Sequence, residues 1–284
     1  MFNLVLINLF ITIIYLFFGI ITGILSSLTG IGGGLFIVPT IIATDEWINY
    51  TIITQNAIGT SSMIILFVSI SATFVYLRKK IIDIKLGLLS SIITIPFAFL
   101  GSILTSFLSS NYMSVIFGLL LLLISFKFIS TRINLFNFKF SAFNNGSKRK
   151  ITDLNGNTYS YNVDFRYAFI FMIIAGILSG FLGIGGGVII VPLYRLLFKI
   201  PIKIAVATSL FIMMFTSAGA SIGHFLLGNI IFEIFILMLI GIIIGTQIGT
   251  RLLTNLNVKH LESMLGILFF IIGLILIYNN LLSL

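Results

Sequence analysis

Eight apolar runs fall along the chain, at about 3–29, 51–77, 86–108, 111–130, 166–182, 204–227, 230–252 and 258–282. Crossing the hydrocarbon core of a bilayer takes roughly 20 apolar residues as helix, and lipid offers the backbone no partner but itself. The pattern predicts an all-α integral membrane protein. Only the stretch from Thr131 to Asp164 is clearly polar, with Asn144-Asn145-Gly146-Ser147-Lys148-Arg149-Lys150 inside it. It divides the chain into an N-terminal membrane part (1–130), a polar cytoplasmic loop (131–164) and a C-terminal membrane part (165–284). Within the loop, residues 136–143 have the character of a short amphipathic element lying on the membrane surface.

The two membrane parts resemble each other. Gly23-Ile24-Leu25-Ser26 recurs as Gly176-Ile177-Leu178-Ser179, and Gly30-Ile31-Gly32-Gly33-Gly34 as Gly183-Ile184-Gly185-Gly186-Gly187, both 153 positions on. Val38-Pro39 and Val191-Pro192 keep that offset. Ala57-Ile58-Gly59-Thr60-Ser61 then matches Ala205-Val206-Ala207-Thr208-Ser209, 148 positions on. Several matches in one order imply an internal duplication, a common origin of transporters.

Composition agrees with lipid as the solvent: 59% of the 284 residues are hydrophobic and 8% charged, with mean hydropathy +1.23. A soluble domain carries roughly 25% charged residues. The net charge of +9 would suggest nucleic acid in a soluble protein. Here the cations lie between apolar runs and face the anionic cytoplasmic membrane surface, so no nucleic-acid partner is expected. The first Lys or Arg is Arg78, so no basic region precedes the first apolar run, which is expected to remain as a membrane helix.

Charge also orients the repeats. If each run crosses once with the central loop inside, Arg195, Lys199, Lys203, Arg251 and Lys259 fall outside, against the positive-inside tendency. If the segment after each GIGGG instead turns back as a half-helix or re-entrant hairpin, all 16 Lys and Arg lie inside and both termini lie outside. Each half then crosses three times, and the repeats are inverted. The plain alternative is eight simple helices with a weak charge bias.

The glycine triplets carry the candidate chemistry. Consecutive glycines are poor helix material, and unwound backbone at membrane depth survives only inside protein or beside a wet cavity. Each triplet leads into an apolar run able to restart a helix, whose first N–H groups are unpaired and carry positive potential. Two such ends brought together would hold an anion without a buried cation, with Gly33 and Gly186 expected where the broken helices face each other. The substrate-binding set read this way is Gly32, Gly33, Gly34, Thr60 and Ser61 with Gly185, Gly186, Gly187, Thr208 and Ser209, the hydroxyls serving as donors. The structural alternatives are that the glycines only let helices pack closely and that the hydroxyls bond back to their own helices.

Other features are weaker. His224 is the one titratable group well within an apolar run, where a lone histidine is more often a packing residue than a proton carrier. Gln247 suits a bond between helices. Glu233 and Glu262 lie near span ends, and Trp47 beside Asp45 and Glu46 suits the interface. There is no cysteine, no GxxxxGK[ST] phosphate loop and no HExxH motif, so no catalytic residue, metal or cofactor is expected. A pairing of Ser179 with His224 as a hydrolase has no supporting spacing.

The paired GIGGG segments with Val-Pro following, the Ala-x-[Gly/Ala]-Thr-Ser after each, and the duplicated apolar chain resemble the sulfite exporter TauE/SafE family of membrane transporters. The resemblance covers nearly the whole chain. It implies a secondary transporter of the cytoplasmic membrane for sulfite, sulfonates or related organic anions. By motif, it also carries over Pro39 and Pro192 beside the glycines and hydroxyls already named. The long polar loop departs from the family pattern. The reading from another class is a membrane scaffold or assembly factor that transports nothing. Oligomeric state is not legible.

Overall fold

The computed structural model describes residues 2–44, 52–130, 147–154, 156–196, 198–252 and 258–281. Every apolar run forms a helix. In chain order these are α1 (Phe2–Thr29), α2 (Gly34–Ala43), α3 (Thr54–Arg78), α4 (Ile84–Leu104), α5 (Ser110–Ser130), the strands β1 (Ser147–Thr152) and β2 (Thr158–Val163), then α6 (Phe165–Leu182), α7 (Gly187–Leu196), α8 (Ile202–Leu226), α9 (Phe232–Leu252) and α10 (Val258–Leu281). Five helical segments are long and apolar enough to cross a membrane: Ile11–Thr29, Thr54–Arg78, Ile84–Phe107, Ile202–Leu226 and Phe232–Leu252. Large apolar side chains such as Phe17, Ile92, Leu123, Ile170, Ile236 and Ile275 are exposed on the outside of the bundle. Water would penalise such a surface; lipid does not.

The glycine loops do break the helices. Backbone φ is positive at Gly30 (66°), Gly32 (97°), Gly183 (63°), Gly185 (75°) and Gly186 (79°), a region that side chains with a Cβ rarely enter. The helices that restart, α2 and α7, have ten residues each. They rise about 15 Å, half the hydrocarbon thickness.

The principal helix contacts keep their pattern when α1–α5 are exchanged with α6–α10. α1 lies along α9 and α6 along α4; α3 crosses α8, and α5 lies along α10. Glycines allow the close approaches. A Cβ on Gly245 would stand 2.1 Å from the Ile20 carbonyl, and one on Gly101 2.2 Å from the Ile177 carbonyl. Gly118 of α5 packs on Gly273 of α10, each facing the other's carbonyl. Small residues serve this purpose in membranes, where no hydrophobic force drives helices together.

Part of the polar stretch expected to be a loop is instead a β-hairpin. β1 and β2 pair antiparallel, Ser147 opposite Val163 and Thr152 opposite Thr158. The turn is closed by Asp153, which accepts from the N–H (2.9 Å) and side-chain amide (3.0 Å) of Asn157. Tyr161 and Val163 point inward and join an apolar cluster with Leu86, Met172, Tyr194, Phe198 and Ile204. The alternation of Thr158-Tyr159-Ser160-Tyr161-Asn162-Val163 fits a strand with one buried face. Residues 131–146, including the amphipathic element expected at 136–143, lie outside the described residues, as do Asp45, Glu46 and Trp47.

Candidate functional site

The two glycine loops meet at the centre of the bundle. A Cβ on Gly34 would stand 2.1 Å from the carbonyl oxygen of Gly183, and one on Gly187 2.1 Å from that of Gly30. Gly32 likewise faces the Ile184 carbonyl, at 2.3 Å. Gly33 and Gly186 point elsewhere. Gly33 faces Thr22 of α1, and Gly186 faces Ala175 and Ser179 of α6. The contact across the two parts therefore runs through Gly34 and Gly187, while Gly33 and Gly186 face the helix before their own loop. Gly185 packs against Met213 and Ile65.

The four hydroxyls singled out in the sequence are all fully buried, and all four bond across the two parts. Ser61 on α3 donates to the carbonyl of Gly183 (2.8 Å), and Ser209 on α8 donates to that of Gly30 (2.9 Å). Thr60 accepts from the N–H of Ile231 just before α9 (2.9 Å), and Thr208 accepts from the N–H of Asp83 just before α4 (3.0 Å). Further along the same helices, Tyr76 donates to the carbonyl of Ser27 (2.8 Å), while His224 Nε2 lies 2.8 Å from that of Gly180. Each bond has its counterpart between matching residues of the other part. The donor protons of Ser61 and Ser209 are therefore committed to backbone.

What remains unpaired lies at the starts of α2 and α7. No hydrogen bond leaves the N–H groups of Gly33, Gly34 and Leu35, or of Gly186, Gly187 and Val188, among the described residues. All but Val188 are buried. Buried backbone donors are almost always paired. No charged residue occurs in 1–44 or 167–194, so the only positive potential these segments supply is that of the helix starts themselves.

Other expected residues fall as follows. Gln247 donates to Ser71 between α9 and α3 (3.1 Å). Gln55 donates to the Leu108 carbonyl (2.7 Å). Glu233 is exposed, and the Glu262 side chain lies outside the described ones. The Ser179 hydroxyl has no partner, and His224 bonds to Gly180 instead.

One polar cluster escaped the sequence reading. Asp83, buried, accepts from the Leu86 N–H at the start of α4 (3.0 Å). The hairpin holds the same carboxylate: Arg149 pairs with both its oxygens and Tyr161 donates to it (2.7 Å). Burial, then the bond to Asp83, push the Tyr161 phenol above its ordinary pKa, so it stays a donor. Nearby, Lys79 donates to the Thr250 carbonyl at the end of α9 (2.7 Å). Burial, then the positive charges of Lys203 and Arg251, lower its pKa. The signals were an Asp in helix-capping position and the alternating tyrosines of β2.

The family model for the sulfite exporter TauE/SafE matches residues 15–276. The chain is 32% identical over 273 residues to the probable membrane transporter protein YunE of Bacillus subtilis, covering 95% of this chain and 99% of that one. It is 28% identical over 186 residues to a probable membrane transporter protein of Methanocaldococcus jannaschii, covering 65% of this chain and 61% of the other. No solved structure gives a significant match.

Proposed function

Because the chain belongs to the sulfite exporter TauE/SafE family and is a multi-pass membrane transporter, we propose that it moves a small oxyanion, such as sulfite or an organic sulfonate, across the cytoplasmic membrane as a secondary transporter. The observation that carries this reading is the pair of buried helix starts with unpaired N–H groups, in segments without a charged side chain. Such ends attract and bind anions, and broken helices whose starts meet at a repeat interface recur in secondary transporters. Gly32, Gly33, Gly34, Gly185, Gly186 and Gly187 supply that backbone. Thr60, Ser61, Thr208 and Ser209 hold the two parts around it.

The inverted duplication, 1–130 against 165–284 with 131–164 between them, belongs to the same proposal. The reciprocal bonds between matching residues support it. So does the grouping of Lys79 after α3 with Lys203 at the start of α8, since matching helices then run in opposite directions. With these cations on the cytoplasmic face, both termini lie outside.

Purified protein in liposomes should move sulfite, sulfate or methanesulfonate down an imposed gradient. Gly33→Val should stop this while leaving a monodisperse protein in detergent, because a Cβ there meets only side-chain atoms, Cγ2 of Thr22 at 2.5 Å and Cδ1 of Ile37 at 3.1 Å, and no backbone. Unimpaired transport by folded Gly33→Val would remove the helix-end site.

A further inference from the structure

Serines inside apolar helices usually return their proton to the carbonyl one turn back. This chain follows that habit at Ser27, Ser62 and Ser69, which donate to Gly23, Ile58 and Ile65. Ser26 and Ser179 do not, nor do Ser125, Ser217 and Ser221. The first two are fully buried, at 0% and 1% exposure, and neither hydroxyl has a partner. They occupy one position in the two parts of the chain, each four residues before a glycine whose N–H bonds to its carbonyl at 2.9 Å, Gly30 and Gly183.

Ser179 stands beside a helix start with unpaired N–H groups, and Ser26 holds the matching position in the other part. The Cβ of Ser179 comes within 3.6 Å of where a Cβ on Gly186 would be, at the head of α7. In the other part, Thr22, one turn before Ser26 on the same helix, turns its methyl toward Gly33 at the head of α2, and its hydroxyl, on the same Cβ, is also unpartnered. A buried hydroxyl without a partner is destabilising, and so is a buried N–H. At the head of α7 the two kinds of unpaired donor lie side by side, Ser179 against Gly186, which points to an acceptor shared by both.

We propose that Ser26 and Ser179 donate their hydroxyl protons to the oxyanion bound at the starts of α2 and α7, with Thr22 adding a third donor on the α2 side. This rests on the anion reading above and names the side chains of that site. An acceptor-rich anion suits the site, because the backbone N–H groups can only donate and the hydroxyl protons have no other acceptor. Thr22 has no hydroxyl counterpart, since Ala175 stands at the matching place, so the α2 side grips the anion more strongly than the α7 side.

The experiment compares Ser26→Ala, Ser179→Ala and Ser114→Ala with the unaltered protein. Melting temperature is measured without ligand, and KM is measured in liposomes with sulfite, sulfate and methanesulfonate. Ser26→Ala and Ser179→Ala should melt no lower than the unaltered protein, because they delete an unpaired buried group. Their KM should rise about tenfold or more, the loss of a hydrogen bond to a charged group. Ser114→Ala, which removes a buried hydroxyl of α5 bonded to that of Thr54, should show the reverse, a lower melting temperature with KM unchanged. If the unaltered protein moves an anion and both serine variants keep its KM, or if both melt markedly lower, the assignment is overturned while the anion reading stands. If the unaltered protein moves none of the three anions, that reading falls and takes this one with it.

Discussion

A serine hydroxyl has one proton to give; at Ser61 it goes to the glycine carbonyl of the opposite loop, and at Ser209 it is shared between that of Gly30 and the Val206 carbonyl of its own helix. Ser61→Ala and Ser209→Ala should therefore each strand a buried carbonyl, lowering stability by about 1–3 kcal/mol, read as a comparable loss of monodisperse protein on heating. The glycines should divide in the same spirit. A methyl on Gly34 or Gly187 meets a backbone carbonyl that cannot step aside, whereas one on Gly33 meets the end of a threonine side chain. Gly34→Ala and Gly187→Ala should abolish folded protein, and Gly33→Ala should spare it, judged by the size-exclusion profile. The importance of these residues was legible in the sequence, since GIGGG and Thr-Ser recur in order. Which of them supply donors to a ligand was not, because Ser61 finds its partner 122 residues away. Only contact between the two parts reveals that its proton is already spent.

At the scale of elements, the eight apolar runs were readable as helices from hydropathy alone, and the breaks from the glycine triplets, because lipid leaves an apolar run few alternatives to a helix. The hairpin was passed over as loop: two six-residue strands carry a weak signal beside spans of more than 20 residues, and the charge run Lys148-Arg149-Lys150 masks the alternation. Its anchor is a carboxylate 66 residues upstream of Arg149. Tyr161 and Val163 are buried against α4, α6, α7 and α8, so the hairpin is part of the folded body. Arg149→Ala should leave the buried Asp83 carboxylate without its cation, a cost of roughly 3 kcal/mol. Trypsin applied to inside-out vesicles should then cleave at Lys148 and Lys150 faster than in the unaltered protein. Tyr161→Phe should have a smaller effect in the same direction. Asp83→Asn, which removes the charge from the centre of the cluster, should match Arg149→Ala.

For the whole molecule, the proposed orientation is open to a direct test, because the chain has no cysteine and any introduced one is unique. A cysteine at Ser147 should react with an impermeant maleimide only from the cytoplasmic side, and one at Asn279 only from outside. Reaction of both from the cytoplasm would replace the inverted arrangement with another. The reciprocal bonds have a further consequence. Ser61 lends its proton to a loop of the second part and Ser209 to a loop of the first, while Thr60 and Thr208 accept from the starts of the opposite α9 and α4. Neither part can satisfy its own glycine loop, so neither should survive as a separate polypeptide. Expressed alone, 1–130 or 147–284 should be destroyed by membrane quality control. Produced together as two genes, they should find each other and accumulate, and Ser209→Ala in the second fragment should weaken that rescue. Such a rescue would show each part acting as the other's folding chaperone, with the covalent link between them a convenience of synthesis that the assembled molecule does not require.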